Sequence, residues 1–332
     1  MKYKKIIVIS ISVTLVSVIS IIYLIQKQNS EEEITNQNIT PVNIDNAIKG
    51  NFGIQFNFEY ENENLPTSLP IYQITEHKFN IDQNIRIVEK LNFTNDPNIV
   101  NDAKFGSTYF YNQEGRSLRV LTNQNIFDYR TGIIADSELS NIPDENELYL
   151  IARRDLIDTG FIQENDNITL TKVREFNVNP IEGIEREGRP NSLILTFNKT
   201  VDDYKVISET YETGTISLVY NYKLDIVSIY YDDVPDLTKL SDYKLKDSEQ
   251  LQNQKSEIAL LSVDEGRIDT LRLGDPNIRN ATLNTIEIAY YQGLDTEQQY
   301  LQPVYIFTGE VTFNNSEKMV AEFYLPAIDY TN

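Results

Sequence analysis

The sequence contains no cysteine and no tryptophan, and His77 is its only histidine. Without cysteine there is no disulfide framework and no thiol nucleophile, and a zinc site would lack its usual ligands. Any Ser-His-Asp arrangement would have to use His77, which lies in a charged stretch just before a predicted helix. We therefore interpret His77 as solvated or locally hydrogen-bonded, and we predict no zinc site.

Motifs for other chemistry are missing as well. The 13 glycines form no phosphate-binding loop, no Gly-x-Gly-x-x-Gly fingerprint and no Gly-x-Ser-x-Gly elbow. Asp232-Asp233, Glu164–Asn167 and Asp264-Glu265 offer oxygen ligands, but none has the spacing of a calcium loop. Among 50 acidic residues, nothing singles out a carboxylate pair for glycoside hydrolysis. We predict no catalytic residue, no cofactor and no metal site, and hence a protein that is not an enzyme.

Positive charge is scarce. The chain has 29 basic and 50 acidic residues, and its formal net charge is −21. Such a field repels phosphate backbones, so nucleic acid is not expected as a partner. The excess of negative charge is consistent with a cationic partner, or with a charge that serves only to keep the protein soluble.

One long uncharged run is present, from Ile6 to Ile25. As a helix it would be about 30 Å long, enough to cross a bilayer. It exceeds the usual core of a cleaved signal peptide, and a buried core helix is the other alternative. Lys2, Lys4 and Lys5 precede it and predict a cytoplasmic N-terminus. We therefore expect an uncleaved single-pass signal-anchor in the cell membrane, with the remainder outside the cytoplasm.

Helix signals recur three times after a polar stretch, residues 30–50, that is typical of a flexible tether. The first two are Asn80 with Gln83 and Asp144 with Glu147, each an N-cap followed by an amide or carboxylate three residues later. The third opens at Ser248. Apolar residues at helical spacing follow the first two caps: Ile81, Ile85, Val88 and Leu91, then Leu148, Ile151, Ala152 and Leu156, with Gly160 as the stop.

Each helix signal precedes segments rich in β-branched and aromatic residues, which predict strands. They are Ser107–Tyr111, Ser117–Thr122 and Ile126–Tyr129; Ile168–Val178, Ser192–Phe197, Thr215–Tyr222 and Ile226–Tyr231; and Ile258–Val263, Leu283–Tyr291, Pro303–Phe307 and Met319–Leu325. This repeat predicts an α+β fold of three consecutive modules, each a short helix packed on an antiparallel sheet. The predicted boundaries are 1–29 for the stub and anchor, 30–50 for the tether, and 51–140, 141–245 and 246–332 for the modules.

Two strand ends resemble each other, Tyr230-Tyr231 and Tyr290-Tyr291. Because adjacent strand residues face opposite sides, one tyrosine of each pair can pack in the core while the other covers the outer face. Core or edge packing is one interpretation. The other is an exposed aromatic surface for a partner, with Tyr231 and Tyr291 as the candidate residues.

The C-terminal segment Gln298–Glu310, QQYLQPVYIFTGE, followed by Ala321–Ile328, AEFYLPAI, is similar to the closing hairpin of PepSY-like modules and YycH/YycI-type regulators. The preceding Ser248–Glu257 helix fits the same pattern. The resemblance implies extracytoplasmic α+β modules that regulate by contact with a membrane partner, and it brings no catalytic residues.

Together these features predict a membrane-anchored binding or regulatory protein of a bacterial envelope, acting on a membrane or envelope partner. An envelope hydrolase using acidic residues and a carrier of an apolar ligand are the alternatives.

Overall fold

A computed structural model describes residues 39–44, 54–60, 65–76, 79–102, 106–131, 137–140, 142–177, 188–208, 214–263, 278–293 and 298–330. Strands hold 54% of these residues and helices 14%. The strands are β1 (Gln55–Phe58), β2 (Ser68–Glu76), β3 (Asn98–Asp102), β4 (Gly106–Gln113), β5 (Arg116–Leu121), β6 (Ile126–Arg130), β7 (Ile168–Phe176), β8 (Ser192–Val201), β9 (Tyr204–Ser208), β10 (Ile216–Asn221), β11 (Ile226–Asp232), β12 (Asp236–Lys244), β13 (Ala259–Val263), β14 (Ile278–Gln292), β15 (Tyr300–Phe313) and β16 (Lys318–Pro326). The α-helices are α1 (Ile81–Lys90), α2 (Glu145–Asp158) and α3 (Ser248–Asn253).

Eight strands form an antiparallel sheet in the order β7-β8-β10-β11-β6-β5-β4-β3. Inward side chains such as Leu195, Phe127 and Leu218 share one core with Ile87 of α1 and Leu156 of α2. The helices therefore cover one face of this sheet. We call these eight strands with α1 and α2 the helix-covered region.

The other eight strands form the strand-built region: β1, β2, β9 and β12–β16. Its centre is the long antiparallel pair β14 and β15, with β16 beside β15 and β13 beside β16. Along β15, Val304 and Ile306 enter one apolar cluster while Tyr305 and Phe307 enter another. This strand is thus buried on both faces, which explains its nearly continuous apolar sequence.

The hairpin β8–β9 carries the chain from one region to the other. β8 pairs with β10 in the helix-covered sheet, whereas β9 pairs in parallel with the end of β14. The sixteen strands therefore form one hydrogen-bonded network that passes through this hairpin.

The prediction of three helix-on-sheet modules is wrong. β6 of the first predicted module pairs with β11 of the second, so the two share one sheet and one core. The predicted third sheet recruits β1 and β2 from far upstream, through β1–β14 and β2–β15 pairing. Local sequence patterns located most strands. Which strands pair with each other depends on long-range burial, which these patterns do not encode.

The helix predictions fare better, with corrections to the third helix and to the buried face of α1. Asn80 and Asp144 cap α1 and α2 as predicted, each accepting from the backbone N–H three residues on. In α2, Leu148, Ala152 and Leu156 are buried as expected. The third helix begins at Ser248 as predicted, with Asp247 as its cap, but it ends at Asn253 and not near Glu257.

In α1 the predicted apolar face is only partly the buried face. Ile81 and Ile85 are 60% and 47% exposed, whereas Gln83, Asn84 and Ile87 are buried. Gln83 donates to the carbonyl of Phe161 and Asn84 to the hydroxyl of Tyr111, so the side-chain nitrogens of both buried amides have partners. Two isoleucines therefore remain at the surface.

The membrane prediction also needs correction. Ile6–Ile25 and Lys2, Lys4 and Lys5 lie outside the described residues. Within the described ranges, no helix is long and apolar enough to cross a membrane. The structure thus gives no support to the predicted single-pass anchor, or to the membrane and extracytoplasmic location that depended on it.

Part of the predicted tether is packed. Ile39, Val42 and Ile44 are buried against the strand-built region. The backbone N–H of Ile44 donates to the hydroxyl of Tyr324 at 3.1 Å, and Gln302 donates to the carbonyl of Thr40 at 2.9 Å. The tether prediction therefore does not hold for residues 39–44.

Candidate functional site

Polar side chains gather around the β8–β9 hairpin. Its two turn residues, Asp202 and Asp203, have positive φ angles of 48° and 69°. Aspartate enters this left-handed region more readily than most residues because its short side chain can hydrogen-bond locally. The tight turn places the Asp202 carboxylate beside Tyr72 and Lys239, whereas Asp203 lines a cleft.

Asp202 ties the hairpin to the strand-built region. Its carboxylate accepts a hydrogen bond from the Tyr72 hydroxyl at 2.5 Å and one from the Lys239 ammonium at 2.8 Å. The hydrogen bonds from Lys239 and Tyr72 lower the pKa of Asp202 below its ordinary value. Burial, together with Asp202, raises the pKa of Tyr72. Both shifts favour an ionised carboxylate bound by a neutral phenol.

An open cleft of about 520 Å³ lies on the other side of the hairpin. It is lined by Tyr149 and Arg153 of α2, by residues at and before the start of β7, including Asp166 and Thr169, and by Thr200 and Asp203 of the hairpin. The guanidinium of Arg153 donates to the backbone carbonyls of Asp166 at 2.9 Å and Glu164 at 2.6 Å. A cation is thereby fixed in the wall of the cleft.

Lys199, next to the cleft residue Thr200, points inward. Its ammonium lies 2.5 Å from both the Tyr231 hydroxyl and an Asp233 carboxylate oxygen. Burial alone would lower the pKa of Lys199, but the attraction of Tyr231 and Asp233 outweighs it and raises that pKa. Lys199 is therefore a charged partner in an ion pair, and a neutral amine nucleophile is not available here.

The same cluster reaches the strand-built region through Gln292. Its side-chain amide donates to the carboxylate of Asp232 and to the carbonyl of Asp233, both at 2.9 Å. Because Gln292 ends β14 and Asp232 ends β11, these bonds join the two sheets at their junction. The Lys199 cluster is thus a structural connection between the regions.

The residues proposed as a partner surface are buried. Tyr231 is 2% exposed and packs between Phe127 and Phe161, and Tyr291 is 5% exposed. Burial in both places fits the interpretation of core packing. His77 lies outside the described residues.

Sequence reasoning missed Lys199, Arg153 and the hairpin aspartates. A signal for Lys199 was present, because alternation from Leu195 and Phe197 places it on the buried face of β8. Arg153 and Asp203 carry no such pattern, since their proximity arises from the packing of α2 beside the hairpin. In the described parts of the chain, no group of three or more His, Cys, Asp or Glu side chains could hold a metal ion.

No protein-family model matches this chain, and no curated protein matches it either. In fold it is similar to the crystal structure of an uncharacterized protein from Eubacterium rectale ATCC 33656. The TM-score is 0.50 at 11% sequence identity, over 82% of this chain and 89% of that one. This likeness concerns the fold alone, and the resemblance to PepSY-like and YycH/YycI-type regulators stays a prediction.

Proposed function

We propose that this protein is a non-catalytic binding protein that acts through protein–protein contacts, and that it holds an extended, positively charged segment of its partner along β3. The observation that carries the proposal is the open edge of this strand. β3 ends the strand order of the helix-covered sheet and, within the described structure, pairs only with β4. An extended peptide can add to such an edge through main-chain hydrogen bonds.

β3 lacks the features that usually protect an edge strand. Proteins shield their edges with lysine, proline, bulges or a covering element. The sequence of β3 is NIVND, its pairing with β4 has no register shift, and all five residues are exposed. Ile99 and Val100 are 51% and 50% exposed. Among the described residues nothing covers this strand, and it is apolar at its centre.

β12, which lies at the far end of the strand path from β3, is protected. β12 pairs with β2 and carries Lys239 and Lys244. Its pairing is also interrupted twice by register shifts. Of these two strands, β12 is shielded and β3 is open, which favours a binding role for β3.

Both faces of β3 offer contacts to an added strand. Ile99 and Val100 point to opposite faces because adjacent strand residues alternate. Ile99 pairs with Tyr109, whose ring packs against Phe79 at 5.5 Å between ring centroids. The apolar side chain of Ile99 thus continues an aromatic surface. The net charge of −21 favours a partner segment that carries lysine or arginine.

A peptide-display experiment tests this proposal. Random peptides selected on the wild-type protein should be enriched in β-branched residues alternating with lysine or arginine. Val100→Lys places on the edge a lysine that shields the strand and repels the basic residues of the peptides. It should weaken binding of the selected peptides at least tenfold, about 1.4 kcal/mol.

Val320→Lys is the matched control. Val320 is 58% exposed on β16, where it pairs with Glu310 of β15. This variant should bind the selected peptides like the wild type. Equal binding to Val100→Lys and wild type, or selection of acidic peptides, would disprove the proposal.

A further inference from the structure

We infer that the cleft beside the β8–β9 hairpin is a binding site for a neutral sugar. This site is separate from the edge of β3 and does not depend on the proposed protein partner. The cleft volume of about 520 Å³ lies within the usual range of small-molecule sites, about 300–1,000 Å³, and is large enough for a mono- or disaccharide.

The chemistry of the lining argues for hydroxyl groups as the ligand's main feature. Asp166 and Asp203 accept hydrogen bonds, Arg153 donates them, and the hydroxyls of Thr169 and Thr200 do both. Donors and acceptors are therefore interspersed in one cleft. A sugar, whose hydroxyls also donate and accept, matches such a wall, whereas an apolar cargo would leave these groups unpaired.

The charge of the lining argues against an anion. One guanidinium faces two carboxylates, so the lining carries an excess of one negative charge. Phosphorylated or acidic ligands would be repelled by this excess and by the acidic chain as a whole. An anion meets this excess and a cation meets the fixed guanidinium of Arg153, so an uncharged polar ligand avoids both repulsions.

Several lining groups are held in place before any ligand arrives. Arg153 is fixed by two backbone carbonyls, and a carboxylate oxygen of Asp166 accepts from the backbone N–H of Gln163 at 2.8 Å. The ring of Tyr149 packs against Phe197 at 6.2 Å between centroids. Pre-ordered groups lose little entropy on binding, which favours a real site over an accidental gap.

Tyr149 lines the cleft beside Arg153. It is half-buried, and Phe197 packs against its ring. Tyr149 and Arg153 are one helical turn apart on α2 and therefore lie on the same side of the helix. A phenol and a guanidinium are thus presented together as hydrogen-bonding groups.

Saturation-transfer NMR and calorimetry on the full chain test the inference. The probes are glucose, N-acetylglucosamine, maltose and cellobiose, with glucuronate and glucosamine as charged comparators. At least one neutral sugar should bind with a Kd on the order of 1 mM, and neither charged comparator should bind more tightly. Failure of all four neutral sugars at about 10 mM, or tighter binding of a charged comparator, would overturn the inference.

Two cleft variants and one control connect binding to this site. Asp203→Asn removes a charge and keeps a residue type that accepts the positive φ of 69°. Thr200→Val removes a hydroxyl without a change of shape. Each should weaken sugar binding at least fivefold, whereas Tyr222→Leu, a half-buried tyrosine that is not part of the lining, should leave it unchanged. Sugar binding that survives both cleft variants would place the site elsewhere.

Discussion

The two regions bury their sheets in different ways. In the helix-covered region, α1 and α2 pack on one face, and neighbouring strands are mostly neighbours in sequence, as in β3-β4-β5-β6. In the strand-built region, β15 is buried on both faces, and β14 pairs in parallel with β1 and with β9. The comparison shows how one chain combines a locally organised sheet with a sheet assembled from distant segments.

The largest expected effect tests whether the two cores are independent. Phe307 is fully buried in the strand-built region and contacts Phe58 and Tyr60. Phe307→Ala should lower the free energy of unfolding by about 4 kcal/mol, from lost burial and a cavity. Hydrogen exchange should accelerate in β14–β16 and much less in β4–β6, because the helix-covered core contains no residue of the other cluster.

The reciprocal variant is Phe127→Ala, which removes a fully buried ring from the helix-covered core. It should accelerate exchange in β4–β6 and leave β14–β16 protected. If either variant accelerates exchange equally everywhere, the regions unfold as a single unit and the distinction between them fails.

The junction gives the next largest effect. Lys199→Met leaves the Asp233 carboxylate, 17% exposed, without its ammonium partner. Loss of one partner from such a pair should cost about 3 kcal/mol in thermal or denaturant unfolding. The double variant Lys199→Met with Asp233→Asn should recover part of that loss, because no unpaired charge remains. A change below about 0.5 kcal/mol in the single variant would show that the pair is unimportant.

A paired substitution in α1 sharpens the description of the helix-covered core. Ile87 is fully buried, whereas Ile85, two residues earlier, is 47% exposed. Ile87→Ala should destabilise the protein by about 3 kcal/mol, and Ile85→Ala by less than about 0.5 kcal/mol. If denaturant titrations show Ile85→Ala to be the more destabilising of the two variants, the apolar face predicted from the sequence is the buried one.

Alkaline pH should affect a tyrosine in each region. Burial raises the pKa of Tyr231 and of Tyr60 to about 12. Since the unfolded value is about 10, the stability gained by a protonated phenol is present below pH 10 and lost as the pH rises through about 12. The loss for Tyr231 is on the order of 1 kcal/mol per pH unit in that window.

Tyr231→Phe and Tyr60→Phe check this pH dependence. Each variant should lose less stability than the wild type between about pH 10 and pH 12, when both are referred to their own values near pH 8. Denaturant unfolding at each pH provides the measurement. Identical slopes in wild type and variant would show that the phenol in question ionises as freely as in the unfolded chain.

The difference between the regions also explains what the sequence could predict. The caps at Asn80 and Asp144, the meander β4–β6 and most later strands were located correctly, because caps, turns and alternation are local signals. β1, β2, β9 and β12 were missed, since they are strands by virtue of long-range partners, and the edge strand β3 was missed as well. The buried face of α1 was misjudged because two buried amides find partners across the core.

Of the candidate sites, little was predictable. The exposed state of β3 depends on its position at the end of the sheet order, which no local pattern shows. The cleft gathers residues from three separate segments, and only Asp166 and Asn167 belonged to a turn that the sequence had singled out. The sequence offered Tyr231 as a candidate for a partner surface, whereas the residue lies inside the core, beside Lys199.

The pairing of β1 with β14 has a consequence for synthesis on the ribosome. Asn57 meets Thr282, which is made 225 residues later. At about 5–20 residues per second, β1 waits about 10–45 s for its partner. The helix-covered region can close during that interval, because its core is complete by Tyr231. Nascent chains should therefore acquire protease resistance in two steps, with the earliest strands of the chain among the last to be protected.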